Sequence, residues 1–261
     1  MDMLILRLRG PLMSFGDVAV DETRPTDTLP TLSQITGMIA NALGWDFRDT
    51  AMTQRLQDRL MIASRAEQLG TVLQDYQTAA ISTQTPLWRT DGLIAERTCG
   101  GEKEQTVQMF KYYRSGAGVT VLLALKNPEE YPTLTDIKSA LKTPFRPIFI
   151  GRMSCPPSCP ICCEPEGHEI VSYESLEQGI LEIPLFKAAI GKATSDDVVL
   201  IEWPLMPSDV SRLSPEEKLH VVERFDCRDW DANVISGSRL VYRAMRKLKI
   251  PEAEVNNSND S

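Results

Sequence analysis

Apolar positions recur in two distinct periods along this chain, and they predict an alternation of strands and helices. The opening run "MLILRLRG" sets Leu4, Leu6 and Leu8 against Ile5, Arg7 and Arg9. This period-two pattern predicts a half-buried strand whose second face carries two arginines. The period changes after Pro30. Thr31 and Gln34 make a T-x-x-Q capping box. Ile35, Met38, Ile39, Ala42 and Leu43 then fall at the spacing of a core-facing helical stripe. Gly44 stands where a C′ glycine ends a helix.

A polar helix over 53–60 leads into a strand at "MIASRAE", and "TVLQDYQTAAI" reads as another strand. From Ser82 to Glu104 the pattern dissolves into polar residues and glycines. Strand-like "DYQTA" and "TVQMFKYYR" flank that stretch, which predicts a long hairpin protruding from the body. "GVTVLLALK" has the continuous apolar character of a fully buried strand. "TLTDIKSALKTP" is an amphipathic helix stopped by Pro144. "RPIFIGR", "GILEIPL" and "DVVLIEWPL" read as strands, 238–250 as helix or strand, and the residues from Pro251 onward as a polar, frayed tail.

As far as Ile150 the order is β-α-β-β-α-β, the ferredoxin-like plan that also underlies RNA-recognition modules. The expected class is therefore α+β. Residues 1–152 would form the body, including the excursion at 82–104, and 153–250 a smaller, mainly β portion with a Cys/Pro-rich loop.

Composition narrows the function. A hydrophobic fraction of 42% and a charged fraction of 25% are those of an ordinary globular chain. No apolar run is long enough to span a membrane, and the arginines within the N-terminal apolar run argue against a signal peptide. A cytoplasmic protein with no membrane partner is expected, its six cysteines as reduced thiols. The net charge of −8 argues against non-specific nucleic-acid binding. The charge is uneven, however. Four basic and no acidic residues lie from Lys138 to Arg152, and five basic and no acidic residues from Arg239 to Lys249. Six glutamates and no Lys or Arg fill 164–182. One basic working face on an otherwise acidic body would account for this.

The loop "SCPPSCPICCEPEGHE" is the most metal-like feature, since Cys155, Cys159, Cys162 and His168 could supply four zinc ligands. They crowd into 14 residues with no second C-x2-C pair, so an unliganded loop is the expectation, with no cofactor. Walker A, G-x-G-x-x-G, H-E-x-x-H and G-x-S-x-G motifs are absent, and His168 and His220 are isolated in sequence. Basic residues mixed with aromatics are more informative. "QMFKYYRSG" offers Gln108, Lys111, Tyr112, Tyr113 and Arg114, and "FRPIFIGRMS" offers Arg146 and Arg152. Lys and Arg hold phosphates while aromatics stack unpaired bases.

Several stretches together resemble one family. "LILRLRGPLMSFG", "TRPTDTLPTLSQITGMIANALGW", "DYQTA", "QTVQMFKYYRSGAGVTVLLAL" and "PIFIGRMSCPPS" stand in the order and spacing of the CasD-type subunits of E-type Cascade, the CRISPR surveillance complex. The resemblance covers about residues 4–160 well and the last third loosely. Met13 and Phe15 replace the family's usual Gln and Trp, and three cysteines after Cys155 lie outside its pattern.

That resemblance implies a ferredoxin-like body with a protruding thumb at 82–104. It implies a non-catalytic, RNA-binding subunit that holds the 5′ handle of the CRISPR RNA (crRNA). Its neighbours would be the large subunit and the backbone subunit, with target DNA met only through the complex. Handle contacts are expected from Arg24, Thr31, Ser33 and Gln34 at the first helix, from Gln108, Lys111 and Arg114, and from Arg146 and Arg152. Two alternatives stand beside this reading. One is a metal-independent endoribonuclease like the C-type family members, with Tyr76, Lys111 and His168 as its working groups. The other is an unrelated zinc-stabilised binding domain.

Overall fold

A computed structural model describes residues 1–19, 21–81, 87–88, 94–95, 105–186 and 198–247. The first strand, β1 (Asp2–Arg9), leads through two short strands, β2 (Leu12–Met13) and β3 (Thr23–Arg24), to helix α1 (Leu32–Leu43). Thr31 Oγ1 accepts the Gln34 N–H at 3.1 Å and caps α1. Gly44 ends it at φ +82°, with its N–H returned to the Ala40 and Asn41 carbonyls. The capping box is only half formed, because the Gln34 amide donates to the Ser14 carbonyl (3.3 Å) rather than reaching back to the cap.

Helix α2 (Thr50–Arg59) runs directly into β4 (Leu60–Gln68). Strands β5 (Thr71–Ile81) and β8 (Gln105–Ser115) form a ribbon in unbroken antiparallel register, from Thr71 opposite Ser115 to Ile81 opposite Gln105. Between them lie β6 (Leu87–Trp88) and β7 (Ile94–Ala95), paired with each other. The rest of the expected thumb excursion at 82–104 lies outside the described residues. Next come β9 (Gly118–Leu125), α3 (Leu134–Lys142), β10 (Ile170–Ser172) and α4 (Leu176–Glu182). Strand β11 (Val198–Pro204), two single-turn helices, α5 (Pro207–Val210) and α6 (Pro215–Lys218), and the hairpin β12 (Val221–Asp229) and β13 (Val234–Lys247) complete the described chain.

One antiparallel sheet of seven strands runs in the order β10-β1-β9-β4-β11-β13-β12, so strands from both sides of residue 152 share it. Its two faces carry separate apolar clusters. Leu4, Leu6 and Leu8 pack with Ile35 and Ile39 of α1 and Ile137 and Leu141 of α3. On the other face, Met3, Ile5 and Leu122 pack with Leu176 and Ile180 of α4. β1 is therefore covered on both sides, which corrects the half-buried reading of its alternation.

Arg7 belongs to that covered second face and is not solvated. Its guanidinium donates to Glu164 (2.6 Å), to the Thr120 hydroxyl and to the Pro184 carbonyl. Arg65 is fully buried beside it, bonded to Glu67 (2.8 Å) and to the Ile180 and Ile183 carbonyls at the end of α4.

Two expected strands take other forms. "RPIFIGR" is irregular, and its backbone pairs with loops through Ser14 N–H to Ile150 C=O (3.0 Å) and Ile150 N–H to Cys155 C=O (2.8 Å). "GILEIPL" lies largely in α4, capped by Ser175. A short apolar run alone does not separate a strand from a buried helix. Residues 238–247 belong to β13, and the tail from 251 lies outside the described residues.

The C-terminal hairpin is tied to the start of α1 by six charges. Arg224 donates to Glu202 (2.5 Å) and Asp27 (2.9 Å). Arg239 binds Asp226 and Glu202 (both Arg239 Nη2 contacts 2.9–3.2 Å), and Arg243 reaches Asp27 at 2.6 Å. Burial acts to raise the Asp27 carboxyl, but the hydrogen bond from Arg243 and the charges of Arg224 and Arg243 outweigh it, so its pKa lies below the ordinary value. These contacts also engage the first cations of the basic run at 239–249: Arg239 and Arg243 pair inward, and Arg246 lies over the Tyr242 ring (5.6 Å). Replacing Glu202 with Ala takes one carboxylate from both Arg224 and Arg239 and leaves the cluster with an unmatched positive charge, and urea unfolding should show a loss of about 3–5 kcal/mol.

Candidate nucleic-acid interface

The β5–β8 ribbon is rooted on three strands. At its base β8 pairs with β2 (Met13 opposite Arg114) and, in parallel, with β3 (Arg24 opposite Lys111). Successive side chains on a strand point to opposite faces, so the register sorts the candidate residues. Arg24, Asp75 and Lys111 share one face. Gln108 and Arg114 share the other with Tyr76 and Phe110, whose rings lie 5.1 Å apart. The predicted residues therefore divide between two surfaces.

The first face borders a cleft of about 590 Å³ lined by Leu12, Leu73, Asp75, Lys111, Arg152 and Met153. Arg152 crosses its base, donating to the Tyr112 carbonyl (2.7 Å) and the Arg24 carbonyl (3.0 Å) above the buried Tyr113 ring. It sits after a turn that only glycine fits. Gly151 has φ +98°, and a Cβ there would stand 1.9 Å from the Ser14 carbonyl oxygen. Met153 is 81% exposed at the rim, a feature the sequence pattern did not flag.

The candidate residues differ in how far their own chain already engages them. Arg146 donates to the Gly44 and Trp45 carbonyls and so closes the C-terminal end of α1. Arg114 binds the Thr28 hydroxyl (2.7 Å) and the Asp27 carbonyl. Arg24 turns one nitrogen to the Asp21 and Thr23 carbonyls. Thr31 caps α1, and its hydroxyl lies 3.2 Å from that of Ser33. The helix start already holds an anion, because Leu32 N–H donates to the Asp226 carboxylate (2.9 Å). Among the described residues, neither the Lys111 ammonium nor the Gln108 amide is engaged in a hydrogen bond.

The trio expected of an endoribonuclease is not assembled. Tyr76 and Lys111 occupy opposite faces of the ribbon, and His168 is exposed in the turn ahead of β10. The zinc arrangement also fails on geometry. Cys155 and Cys162 point into the core, and no three His, Cys, Asp or Glu side chains among the described residues stand together as a metal group. Burial pushes the Cys162 thiol up to about 12 and the Cys163 thiol up to about 11, which keeps both protonated.

Comparison with known proteins agrees with this architecture. The family model described as CRISPR-associated protein (Cas_Cas5) matches residues 3–241, so the chain belongs to that family. The CRISPR system Cascade subunit CasD of Escherichia coli (strain K12) is 29% identical over 188 residues, spanning 66% of this chain and 82% of that protein. A chain of a CRISPR RNA-guided surveillance complex shares the fold at a TM-score of 0.60 and 17% identity, over 94% of this chain and 90% of its own. A Cas protein known from its crystal structure does so at 0.59 and 21%, over 96% and 98%. No helix among the described residues is long and apolar enough to cross a membrane.

The end of the cysteine loop supplies a pH test. Lys142 donates to Glu169 and, with the Gly167 N–H, holds that carboxyl down at about 2. A depressed carboxylate contributes stability that is present above its unfolded value of about 4.5 and lost as pH falls through about 2. The Glu169→Gln variant should unfold at lower urea than the parent at pH 7. Midpoints measured across pH should converge between about 4.5 and 2.

Proposed function

We propose that this chain is a CasD-type subunit of a Cascade surveillance complex that holds the 5′ handle of the crRNA without cutting it. The body is read as ferredoxin-like, with β1, β4, β9 and β10 as its four strands; their order, β10-β1-β9-β4, supports this. The large and backbone subunits are its partners, and target DNA is met through the assembled complex.

The observation that carries the reading is the pair of surfaces that the ribbon presents. Lys111 faces the cleft on one side, and on the opposite face Tyr76 is 53% exposed against Phe110. A cation for phosphate on one face and an aromatic surface for an unpaired base on the other suit a single-stranded handle that passes around the ribbon. A body of net charge −8 tolerates this because the contact is local, and it discourages stray nucleic acid. Within the expected set, Arg24, Ser33, Gln108, Lys111 and Arg114 are assigned to RNA. Thr31, Gln34, Arg146 and Arg152 shape the surface on which it rests.

Handle RNA labelled with a fluorophore tests this by anisotropy over a salt series. Lys111→Ala should weaken binding and reduce the magnitude of the log–log salt slope by about 0.7, the loss of one single-strand phosphate contact. Tyr76→Ala should cost about 1–3 kcal/mol through lost stacking. Parental affinity and slope in both variants would rule the placement out. Site-specific cleavage of repeat RNA in a chelator would instead establish the nuclease reading.

A further inference from the structure

Among the described residues, β5 pairs with β8 alone, and its far edge meets no other strand. The backbone groups on that edge can be identified. The Phe110 N–H donates to the Glu22 carbonyl (3.1 Å) beside β3, and the Tyr112 carbonyl accepts from Arg152 on the same side. Successive residues of a strand turn their backbone groups to opposite edges, so Met109, Lys111 and Tyr113 serve the β5 side. Their partners Gln77, Asp75 and Leu73 are then the β5 residues bonded within the ribbon. Val72, Gln74, Tyr76 and Thr78 turn their N–H and C=O groups outward, along a line of about 20 Å. All four residues are exposed, Val72 at 56%.

The other sheet edges of this chain are blunted. β10 is only three residues long. β12 is broken by two register shifts and carries Glu223, Arg224, Asp226, Arg228 and Asp229. Short strands, bulges and charges are the usual devices that keep an edge from accepting another strand. β5 has none of them. It runs eleven residues in unbroken register, without proline or lysine, and Asp75 is its one charge.

We propose that the outer edge of β5 is a docking edge for an extended polypeptide segment of a partner subunit, added as a third strand to the ribbon. The edge offers donors and acceptors in alternation. A polypeptide strand matches both, whereas a phosphate backbone accepts hydrogen bonds and leaves the outward carbonyls unmatched. About seven residues of the partner lie along Val72–Thr78, with apolar or aromatic side chains beside Val72 and Tyr76 and no acidic one beside Asp75. The added strand widens the sheet sideways and leaves both ribbon faces, with Lys111 and Tyr76, to the handle, which passes around the ribbon beyond Thr78. The proposal rests on the reading of this chain as a subunit of a larger complex.

Hydrogen exchange read at single amides, in the isolated chain and in the assembled complex, tests this. In the isolated chain the amides of Val72, Gln74, Tyr76 and Thr78 should exchange freely, and those of Leu73, Asp75 and Gln77 should be protected. In the complex the four outward amides should slow at least about tenfold. Gln74→Pro removes one outward N–H, at a position where an edge strand accepts proline. It should retain parental affinity for handle RNA, while the partner dissociates about tenfold faster. Gln74→Ala keeps the N–H and should match the parent.

Outward amides already protected in the isolated chain would put a segment of this chain on the edge and overturn the proposal. Protection by handle RNA alone would overturn it in favour of RNA. Unslowed exchange in the complex, unchanged dissociation in a folded Gln74→Pro variant, or equal loss in Gln74→Ala would also overturn it. Each of these results leaves the subunit reading standing. Should Gln74→Pro fail to fold, exchange in the parental chain decides. If the parental chain forms no complex, the subunit reading falls, and the docking edge falls with it.

Discussion

The cluster of Asp27, Glu202 and Asp226 against Arg224, Arg239 and Arg243 determines how the two ends of the chain meet. Asp226 contributes twice: it pairs with Arg239 and it accepts the first free N–H of α1 from Leu32. Arg224 also donates to the Leu29 carbonyl, just before that helix (2.7 Å). The loop that carries Arg24 and the Thr31 cap is thus positioned by residues nearly 200 places later in sequence. Three positive and three negative side chains balance one another in charge where burial makes any unmatched charge costly.

A second theme is how the chain uses its arginines. Arg59 donates to five carbonyls between Lys126 and Pro132, Arg65 closes the end of α4, Arg146 closes α1, and Arg152 bridges β3 and β8. A planar fork of donors suits clusters of carbonyls at helix ends and turns. Because so many guanidinium groups act internally, the basic runs in the sequence overstate the basic surface. Among the described residues, the cleft cation with no hydrogen bond to its own chain is a lysine, Lys111, held at the ribbon root by its β-register.

Much of the architecture was legible in sequence because it rests on local signals. Helix α1 was readable from its cap, apolar stripe and terminal glycine, β5 from its bounds, and β9 from its continuous apolar run. What failed depended on distant partners. The alternation of β1 did not reveal that α4 would cover its second face and neutralise Arg7 with Glu164. The strand β12 was not anticipated, since its inward positions are Arg224 and Asp226 rather than apolar residues. The binding set mixed groups that face a cleft with groups that bind their own backbone. Residue type and motif do not distinguish these two uses; strand register and carbonyl positions do.

The ribbon also has a mechanical consequence. Eleven paired residues make a beam roughly 35 Å long, and its foot is clamped rather than hinged. Arg114 fastens β8 to the Asp27–Thr28 turn, and Asp27 is itself gripped by Arg224 and Arg243 of the far hairpin. Load carried along the paired strands therefore reaches a lattice of charges at the foot instead of a soft joint. Whatever grasps the outer end of the ribbon sets the orientation of the whole subunit.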